Sequence, residues 1–258
     1  MDIKENTTYN LILGGSSGLG WASACKLASK GNAVIIIHRD SRSFTDEFQQ
    51  KIKSKNAEGL QLIAFNFDAL NESKRNFFLS KLQEKNCKIN LLLHSVSKGN
   101  LKPMLGENSL QKSDFEITLH AMGFSLYEWV SALHAVNLFT NPAKVLAFTS
   151  LGSSRAMTNY GAVSSAKSVL ESVSRNIALE FAKFGITSNC VEAGVCETKS
   201  LQLIPNYQKI ISQAKRKNPF QRLTTPEDVA NVVYLLSLPE SKWINGSIIK
   251  VDGGESIT

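Results

Sequence analysis

The chain has 258 residues, of which 43% are hydrophobic, and its 29 Lys and Arg residues against 22 Asp and Glu give a formal net charge of +7. This length and composition allow a single α/β domain, residues 1–258, to bury a full core. The basic residues are not concentrated in a tail or in a patch interleaved with aromatic residues. This distribution argues against a nucleic-acid partner and favours an anionic cofactor and an acidic partner.

Several other classes of protein are excluded by local sequence. Residues 1–6 lack the apolar core of a signal peptide, and no later apolar run is long enough to span a bilayer. The four cysteines form no CxxC pair, and the four histidines show no HExxH spacing. We therefore expect a cytoplasmic protein with reduced thiols, no metal site and no membrane contact.

The first predicted strand, Tyr9 to Leu13, leads into a glycine-rich turn and then into a helix from Trp21 to Ser29. Glycines at such a turn let the backbone approach a pyrophosphate, which then lies against the amides and positive dipole of the helix N-terminus. The spacing here is G-x-x-x-G-x-G. The cofactor-binding residues predicted in this turn are Gly14, Ser16, Ser17, Gly18, Leu19 and Gly20.

The second predicted strand, Ala33 to Ile37, is followed by His38, Arg39 and Asp40. A chain that binds NAD usually places an acid at the end of this strand to hold the ribose 2′-hydroxyl, whereas here His38 stands at that point and Arg39 follows. A guanidinium suits a 2′-phosphate through charge-assisted hydrogen bonds. We therefore predict that His38 and Arg39 bind NADPH in preference to NADH; a solvated surface Arg39 is the alternative.

Strands and helices continue to alternate along the rest of the chain. This alternation predicts a Rossmann-like, doubly wound α/β fold with three αβα layers and a mainly parallel sheet of about seven strands. The remaining strands are predicted at Leu60–Phe67, Ile89–Leu93, Lys144–Thr149, Ile186–Val191 and Ser247–Val251, and helices at Asp46–Lys55 and Phe115–Val136. A last helix is predicted to start at the cap Thr225, with Pro226 in its first turn and its apolar stripe at Val229–Leu238.

Tyr160 and Lys167 stand seven residues apart at the start of a further predicted helix. At about 100° per residue, this spacing brings both side chains to one face, roughly 10 Å apart along the axis. A nearby cation stabilises a phenolate and lowers the pKa of a tyrosine from its usual ~10. The pair can thus serve as an acid catalyst or oxyanion stabiliser, although the same spacing also arises by chance.

The glycine-rich turn, Ser150 at the end of a strand, the Tyr160–Lys167 pair and the terminal Val251-Asp252-Gly253-Gly254 occur in an order that resembles the short-chain dehydrogenase/reductase superfamily. The resemblance covers nearly the whole chain. It implies the same fold and an NAD(P)H-dependent oxidoreductase.

Several departures from most of that superfamily are similar to its enoyl-acyl-carrier-protein reductases. Ketone-reducing members use Y-x-x-x-K, but position 164 is serine here and the lysine comes one turn later. His94-Ser95 replaces Asn-Asn, and Ala193-Gly194 replaces Pro-Gly. The run Ser150-Leu151-Gly152-Ser153 resembles the divergent enoyl reductase III branch.

The altered Tyr–Lys spacing has a chemical rationale. In ketone reduction, the carbon that receives hydride carries the oxygen that needs a proton. In an enoyl thioester, hydride goes to the β-carbon and charge develops on the thioester oxygen, two carbons away. A donor that stabilises this enolate must therefore be placed differently relative to the nicotinamide.

The resemblance implies specific roles for residues of this chain. Tyr160 would stabilise the enolate, Lys167 would hold the nicotinamide ribose and tune Tyr160, and Ser150 would assist at the thioester oxygen. His120 stands where many relatives carry an asparagine that holds a relay water; a buried core histidine is the alternative. The resemblance also implies cofactor contacts from Ser95 and Gly194, from Cys196 near the nicotinamide carboxamide, and from Thr198 at a phosphate. We expect the Cys196 thiol to be unreactive. Asp68 would contact the adenine, and a helix cap is the alternative for this residue.

The stretch from about residue 199 to 222 carries six basic residues and no acidic ones. In the family this region is a mobile flap over the substrate, so its charge would attract an acidic acyl carrier protein. A solvated helix face is the alternative. The C-terminal tail also resembles that of enoyl reductases, which implies a homotetramer or a homodimer.

The function expected from these features is NADPH-dependent reduction of the trans-2 double bond of enoyl thioesters in fatty acid synthesis. Two alternatives stay open: an NADPH-dependent carbonyl reductase of the same family, and a non-catalytic NADPH-binding sensor.

Overall fold

A computed structural model describes residues 2–258. Seven strands form one parallel sheet in the order β3-β2-β1-β4-β5-β6-β7. The strands are β1 (Thr8–Leu13), β2 (Ala33–His38), β3 (Gln61–Asn66), β4 (Lys88–His94), β5 (Phe139–Ser150), β6 (Ile186–Ala193) and β7 (Ile248–Val251).

Helices cover both faces of this sheet. They are α1 (Gly18–Ser29), α2 (Arg42–Ala57), α3 (Glu72–Glu84), α4 (Lys112–Leu119), α5 (Ser125–Ala135), α6 (Gly161–Glu180), α7 (Lys199–Gln202), α8 (Tyr207–Lys217) and α9 (Pro226–Ser237). Side chains of α3, α5 and α6 form a core on one face, and those of α1, α2 and α9 form a core on the other. The predicted doubly wound, three-layer fold is confirmed.

The central strands are rich in apolar residues because both of their faces are buried. In β1, Leu11 and Leu13 belong to the core on the α5 side, whereas Ile12 between them belongs to the core on the α1 side. All three side chains are fully buried. This alternation fixes the register of each strand, because a shift by one residue would exchange the two cores.

The single helix predicted from Phe115 to Val136 is interrupted. The backbone forms α4, then a π-helical turn at His120–Phe124, then α5. Gly123 in this turn lies against α6 so closely that a Cβ atom on it would come within 3.0 Å of the Val169 side chain. Sequence periodicity could not reveal the extra residue in the turn, because it depends on this contact between helices.

None of the helices described is long and apolar enough to cross a membrane.

The N-terminus of α9 is fixed by a reciprocal cap, as expected for Thr225. Its hydroxyl accepts a hydrogen bond from the Asp228 amide (3.2 Å), and the Asp228 carboxylate accepts one from the Thr225 amide (2.9 Å). The helix packs on the face of the sheet that also carries α1. The cap therefore helps to hold the core beneath the glycine-rich turn.

We predict that Thr225→Ala lowers the free energy of unfolding by about 1 kcal/mol, because the amide at the third position of α9 loses its acceptor. Thr225→Ser, which keeps the hydroxyl, should stay within a few tenths of a kcal/mol of wild type. Urea unfolding followed by circular dichroism measures both. Equal losses in the two variants would contradict the role given to the cap.

Candidate active site

A cavity of about 800 Å³ opens at the carboxyl ends of the strands. It lies across the point where the strand order reverses, between β1 and β4, which is where open α/β sheets bind ligands. Its lining brings together all of the predicted site residues except Gly20, which lies buried beneath the turn.

The glycine-rich turn is shaped by backbone contacts that leave no room for side chains. Gly14 has a φ of +83° and Gly18 a φ of +53°. A Cβ atom on Gly20 would overlap the Gly14 carbonyl oxygen and lie 2.9 Å from the Ser95 hydroxyl oxygen. The first turn of α1 carries no acidic residue. This cradle fits the pyrophosphate of a dinucleotide at the positive end of the helix.

The structure corrects the role predicted for His38. Its side chain has no exposed surface; Nδ1 lies 2.7 Å from Asp40 Oδ2, and the ring packs edge-on against Phe48. His38 is a lining residue of the cavity, but its buried ring offers no exposed surface to a cofactor and instead contacts Asp40.

Arg39 lies at the same end of the cavity with its side chain 55% exposed, and its guanidinium donates to Asp68 Oδ2 at 2.9 Å. Burial raises the pKa of Asp68, but hydrogen bonds from the Leu70 amide and from Arg39 outweigh it, and the net shift is downward. Asp68 is thus a charged partner of Arg39. The helix-cap alternative for Asp68 is wrong, because Asn71 caps α3.

The predicted catalytic side chains meet at the end of β5. Tyr160 immediately precedes α6, and its hydroxyl lies 3.4 Å from the Ser150 hydroxyl. Lys167 is buried, and its Nζ donates a hydrogen bond to the Phe148 carbonyl oxygen at 2.6 Å. Both Tyr160 and Lys167 line the cavity. The phenol and the hydroxyl are therefore held together, and the Lys167 side chain is anchored to the backbone two residues before Ser150.

The expectation that Lys167 lowers the pKa of Tyr160 is corrected. Burial raises the pKa of Tyr160 above its ordinary value, and the hydrogen bond with Ser150 only partly opposes this effect. Burial also lowers the pKa of Lys167 to about 8, against the opposing influence of Cys190 and Glu171. At neutral pH the phenol is thus protonated and able to donate a hydrogen bond, and the lysine is mostly protonated.

His120 takes neither of the roles considered for it. Its side chain is 43% exposed, and its Nε2 lies 2.9 Å from Glu128 Oε1. The other oxygen of that carboxylate accepts from Arg75 at 3.1 Å. His120 does not line the cavity and is not a core residue; it belongs to a charged cluster between α3 and α5.

Two buried polar residues near Lys167 were given no role from the sequence, although His94 was noted there as part of the His94-Ser95 replacement. His94, at the end of β4, bonds the Ser125 hydroxyl, and burial together with Lys167 lowers its pKa to about 3. Glu171 is 9% exposed and accepts a hydrogen bond from the Thr149 hydroxyl. The sequence could have pointed to Glu171, because a spacing of four residues places it on the same face of a helix as Lys167.

The start of the predicted flap lies across the cavity and is attached on both sides. Thr198 caps α7 by accepting a hydrogen bond from the Leu201 amide. On one side, the Lys199 ammonium lies 4.5 Å from the centre of the Phe44 ring on α2. On the other side, the Ser97 hydroxyl in the loop after β4 donates a hydrogen bond to the Ser200 hydroxyl at 3.0 Å. Helix α7 thus bridges the two walls of the cofactor cleft.

The carboxyl end of β6 forms the floor opposite Tyr160. The Gly194 amide donates to the Val251 carbonyl at 3.0 Å, and a Cβ atom on Gly194 would meet the backbone of Asp252 at 2.9 Å. Cys196 is buried, and burial raises the pKa of its thiol to about 12. Its thiol is therefore inert near neutral pH, in agreement with the expectation.

Comparison of the chain with known proteins identifies its family. The model of a family described as enoyl-(acyl carrier protein) reductase matches residues 14–256. This match includes the glycine-rich turn, the Tyr160–Lys167 pair and both ends of the cavity. The chain belongs to this family of short-chain dehydrogenases/reductases. It is therefore an oxidoreductase of that superfamily, whose members bind a nicotinamide cofactor.

Individual members of the superfamily resemble the chain at low identity. The NADH-dependent enoyl-[acyl-carrier-protein] reductase FabI of Haemophilus influenzae is 31% identical over 74% of this chain and 72% of its own length. The 1-cyclohexenylcarbonyl-CoA reductase of Streptomyces collinus is 25% identical over 98% of this chain and 88% of its own length. The 7α-hydroxysteroid dehydrogenase of Escherichia coli is 27% identical over 95% of this chain and 92% of its own length.

Solved structures share the fold. The Bacillus cereus enoyl-acyl carrier protein reductase, determined with NADP⁺ and indole naphthyridinone, superimposes with a TM-score of 0.87 at 21% identity, covering 100% of this chain and 99% of that one. The NADH-dependent enoyl reductase of Aquifex aeolicus gives a TM-score of 0.85 at 19% identity, covering 98% of both chains.

We predict that Gly20→Ala weakens NADPH binding at least about tenfold, because the new methyl group pushes the Gly14 carbonyl and Ser95 out of the cradle. Isothermal titration calorimetry measures the affinity. Gly59→Ala is the control, since its methyl group meets no atom within 4 Å. Its left-handed backbone should cost stability but leave NADPH affinity unchanged. Wild-type affinity in Gly20→Ala would contradict the assignment of the cradle.

Proposed function

We propose that the protein reduces the trans-2 double bond of enoyl thioesters with NADPH. The observation that carries this proposal is the protonated Tyr160 hydroxyl, next to Ser150 and seven residues before the buried Lys167, at the cavity wall. The family model that matches the chain supports the same chemistry.

The chain's residues fit the pyrophosphate, the 2′-phosphate and the nicotinamide half of a dinucleotide. The glycine-rich turn and the first turn of α1 would bind the pyrophosphate, and Arg39 the 2′-phosphate. Lys167 would hydrogen-bond the nicotinamide ribose, while the backbone around Gly194 and Cys196 would bind the carboxamide. When bound, the cofactor would supply the hydride for the β-carbon of the substrate.

Tyr160 would act on the thioester oxygen. As the β-carbon gains hydride, the electron pair of the double bond moves towards the carbonyl and negative charge develops on this oxygen. A neutral phenol can donate a hydrogen bond to it, whereas a phenolate would repel it. Burial, which raises the pKa of Tyr160, thus favours the form of the side chain that this reaction needs.

The cavity roof suits an acyl chain. Leu201, Ile204 and Ile210 contribute apolar side chains to the lining, and Lys209 and Lys217 of α8 lie at the same wall. An apolar lining with ammonium groups at its edge matches an acyl chain attached to an anionic carrier.

The carrier we propose is an acidic acyl carrier protein, and it would meet α8. Two of the six basic flap residues are already engaged: Lys199 lies over Phe44, and Arg222 makes two hydrogen bonds to Asp228, at 2.6 and 3.1 Å. The remaining four lie on α8, and these are Lys209, Lys215, Arg216 and Lys217. The homo-oligomeric state and the cytoplasmic location stay predictions.

Carbonyl reduction is the alternative that one observation favours. The Ser150 hydroxyl lies within 3.4 Å of the Tyr160 hydroxyl, so both could bind the oxygen of a ketone. The dehydrogenase of E. coli named above acts, by its name, on a hydroxysteroid.

We predict that the wild-type protein reduces crotonyl thioesters with NADPH. The rate should fall at least about 100-fold in Tyr160→Phe and in Lys167→Ala, because each variant removes a group proposed to act at the substrate or the cofactor. Cofactor oxidation followed by its absorbance measures the rate. Tyr127→Phe, at an exposed residue of α5 outside the cavity lining, is the control and should keep wild-type activity. Reduction of ketones together with inert crotonyl thioesters would instead support the alternative.

Arg39 provides a separate test of the cofactor. Arg39→Ala should lower kcat/KM for NADPH by about 10- to 100-fold, the effect expected for losing charge-assisted hydrogen bonds to a phosphate, and change the value for NADH little. Arg175→Ala, at an exposed residue of α6 outside the cavity lining, is the matched control. An equal loss of kcat/KM with NADPH and NADH would contradict the role of Arg39. A higher kcat/KM with NADH than with NADPH in the wild-type protein would contradict the proposal that NADPH is the cofactor.

A further inference from the structure

A polar pocket lies behind Lys167, between α6 and the carboxyl ends of β5 and β6. The Phe148 carbonyl accepts a hydrogen bond from Lys167, and the next residue, Thr149, donates one to Glu171 Oε1. Glu171 is 9% exposed. The mechanism described above gives this buried carboxylate no role.

Lys167 and Glu171 are four residues apart on α6, so their Cβ atoms lie on one face of the helix about 6 Å apart. A buried charge is costly unless an opposite charge lies near it. The Glu171 carboxylate therefore favours the ionised form of Lys167. The hydrogen bond from Thr149 keeps the carboxylate in the pocket.

The groups that face Lys167 from the surrounding strands are uncharged near neutral pH. His94 on β4 is neutral, because burial lowers its pKa to about 3, and its partner Ser125 on α5 carries no charge. Cys190 on β6 is a thiol, because burial raises its pKa to about 11. Glu171 is thus the source of negative charge for Lys167 among these neighbours.

A second acid in the pocket has its own partner. Glu192 on β6 lies beside Thr149 in the sheet register, and its Oε1 is 3.9 Å from the Lys250 ammonium on β7. Burial raises the pKa of Glu192, Lys250 lowers it, and Glu171 and Asp252 raise it. Lys250 therefore balances Glu192, which leaves Glu171 to balance Lys167.

We propose that Glu171 is a positioning residue, whose carboxylate, held by Thr149, keeps Lys167 protonated and directed at the end of β5. Its effect on turnover rests on the proposed function, whereas its effect on the charge of Lys167 does not.

The charge of Lys167 is sensitive to such a partner. With a pKa of about 8, the side chain loses its proton just above neutral pH. Removing the Glu171 charge lowers this pKa further, so a decrease of about one pH unit would reduce the protonated fraction at about pH 7.5 from roughly three-quarters to roughly one-quarter.

NMR titration of the unliganded protein, labelled with ¹³C at lysine, tests the proposal directly. The Lys167 signal is assigned by its loss in Lys167→Arg. We expect its midpoint in Glu171→Gln to lie about one pH unit below that of wild type. Glu180→Gln removes an exposed carboxylate from the end of the same helix and should leave the midpoint unchanged. Equal midpoints in Glu171→Gln and wild type would overturn the proposal.

Glu171→Asp keeps the test available if the glutamine variant does not fold. Its shorter side chain holds the charge farther from Lys167, so the midpoint should fall in the same direction but less far. An unchanged midpoint in a folded Glu171→Asp protein would also overturn the proposal.

The pH dependence of turnover separates positioning from a structural role. In Glu171→Gln, the alkaline limb of the kcat profile should move to lower pH by the same amount as the NMR midpoint. A loss of kcat that is equal at every pH would show a structural role and contradict the proposal. Absence of enoyl reduction with a shifted NMR midpoint would refute the proposed function and leave the role of Glu171 intact.

Discussion

The end of β5 is the segment on which the site depends. Three consecutive residues there each contact a side chain of α6 or of Tyr160, which immediately precedes it: the Phe148 carbonyl accepts a hydrogen bond from Lys167, the Thr149 hydroxyl donates one to Glu171, and the Ser150 hydroxyl lies 3.4 Å from the Tyr160 hydroxyl. Because β5 is paired on both sides and α6 packs on the sheet, these side chains have little freedom. Their burial raises the pKa of the phenol and lowers that of the ammonium. One packing constraint thus sets both the geometry and the protonation states.

Much of the fold could be predicted because its signals are local. The apolar runs of β1 and β2, the glycines between β1 and α1, and the Thr225 cap each depend on neighbours in sequence, and each prediction agrees with the structure. The π-helical turn at His120–Phe124 could not be predicted, since it depends on the contact of Gly123 with α6.

The site was predictable in position but not in electrostatics. Parallel strands bring their carboxyl ends to one edge, so residues from separate motifs meet in one cavity. The orientation of a side chain there depends on partners distant in sequence. His120 turns to Glu128 and Arg39 pairs with Asp68, while the ring of His38 is buried against Phe48. Likewise, the pKa of Tyr160 reflects burial by the whole fold, which the spacing of Tyr160 and Lys167 does not encode.

The position of the transferred hydride tests the central claim most directly. In a single turnover, NADPH that carries deuterium as the transferred C4 hydrogen is mixed with enzyme, crotonyl thioester and a competing ketone, and the products are analysed by mass spectrometry and NMR. The account predicts a butyryl thioester with deuterium on the β-carbon. An unchanged crotonyl thioester, with deuterium appearing instead on the carbinol carbon of a reduced ketone, would contradict it.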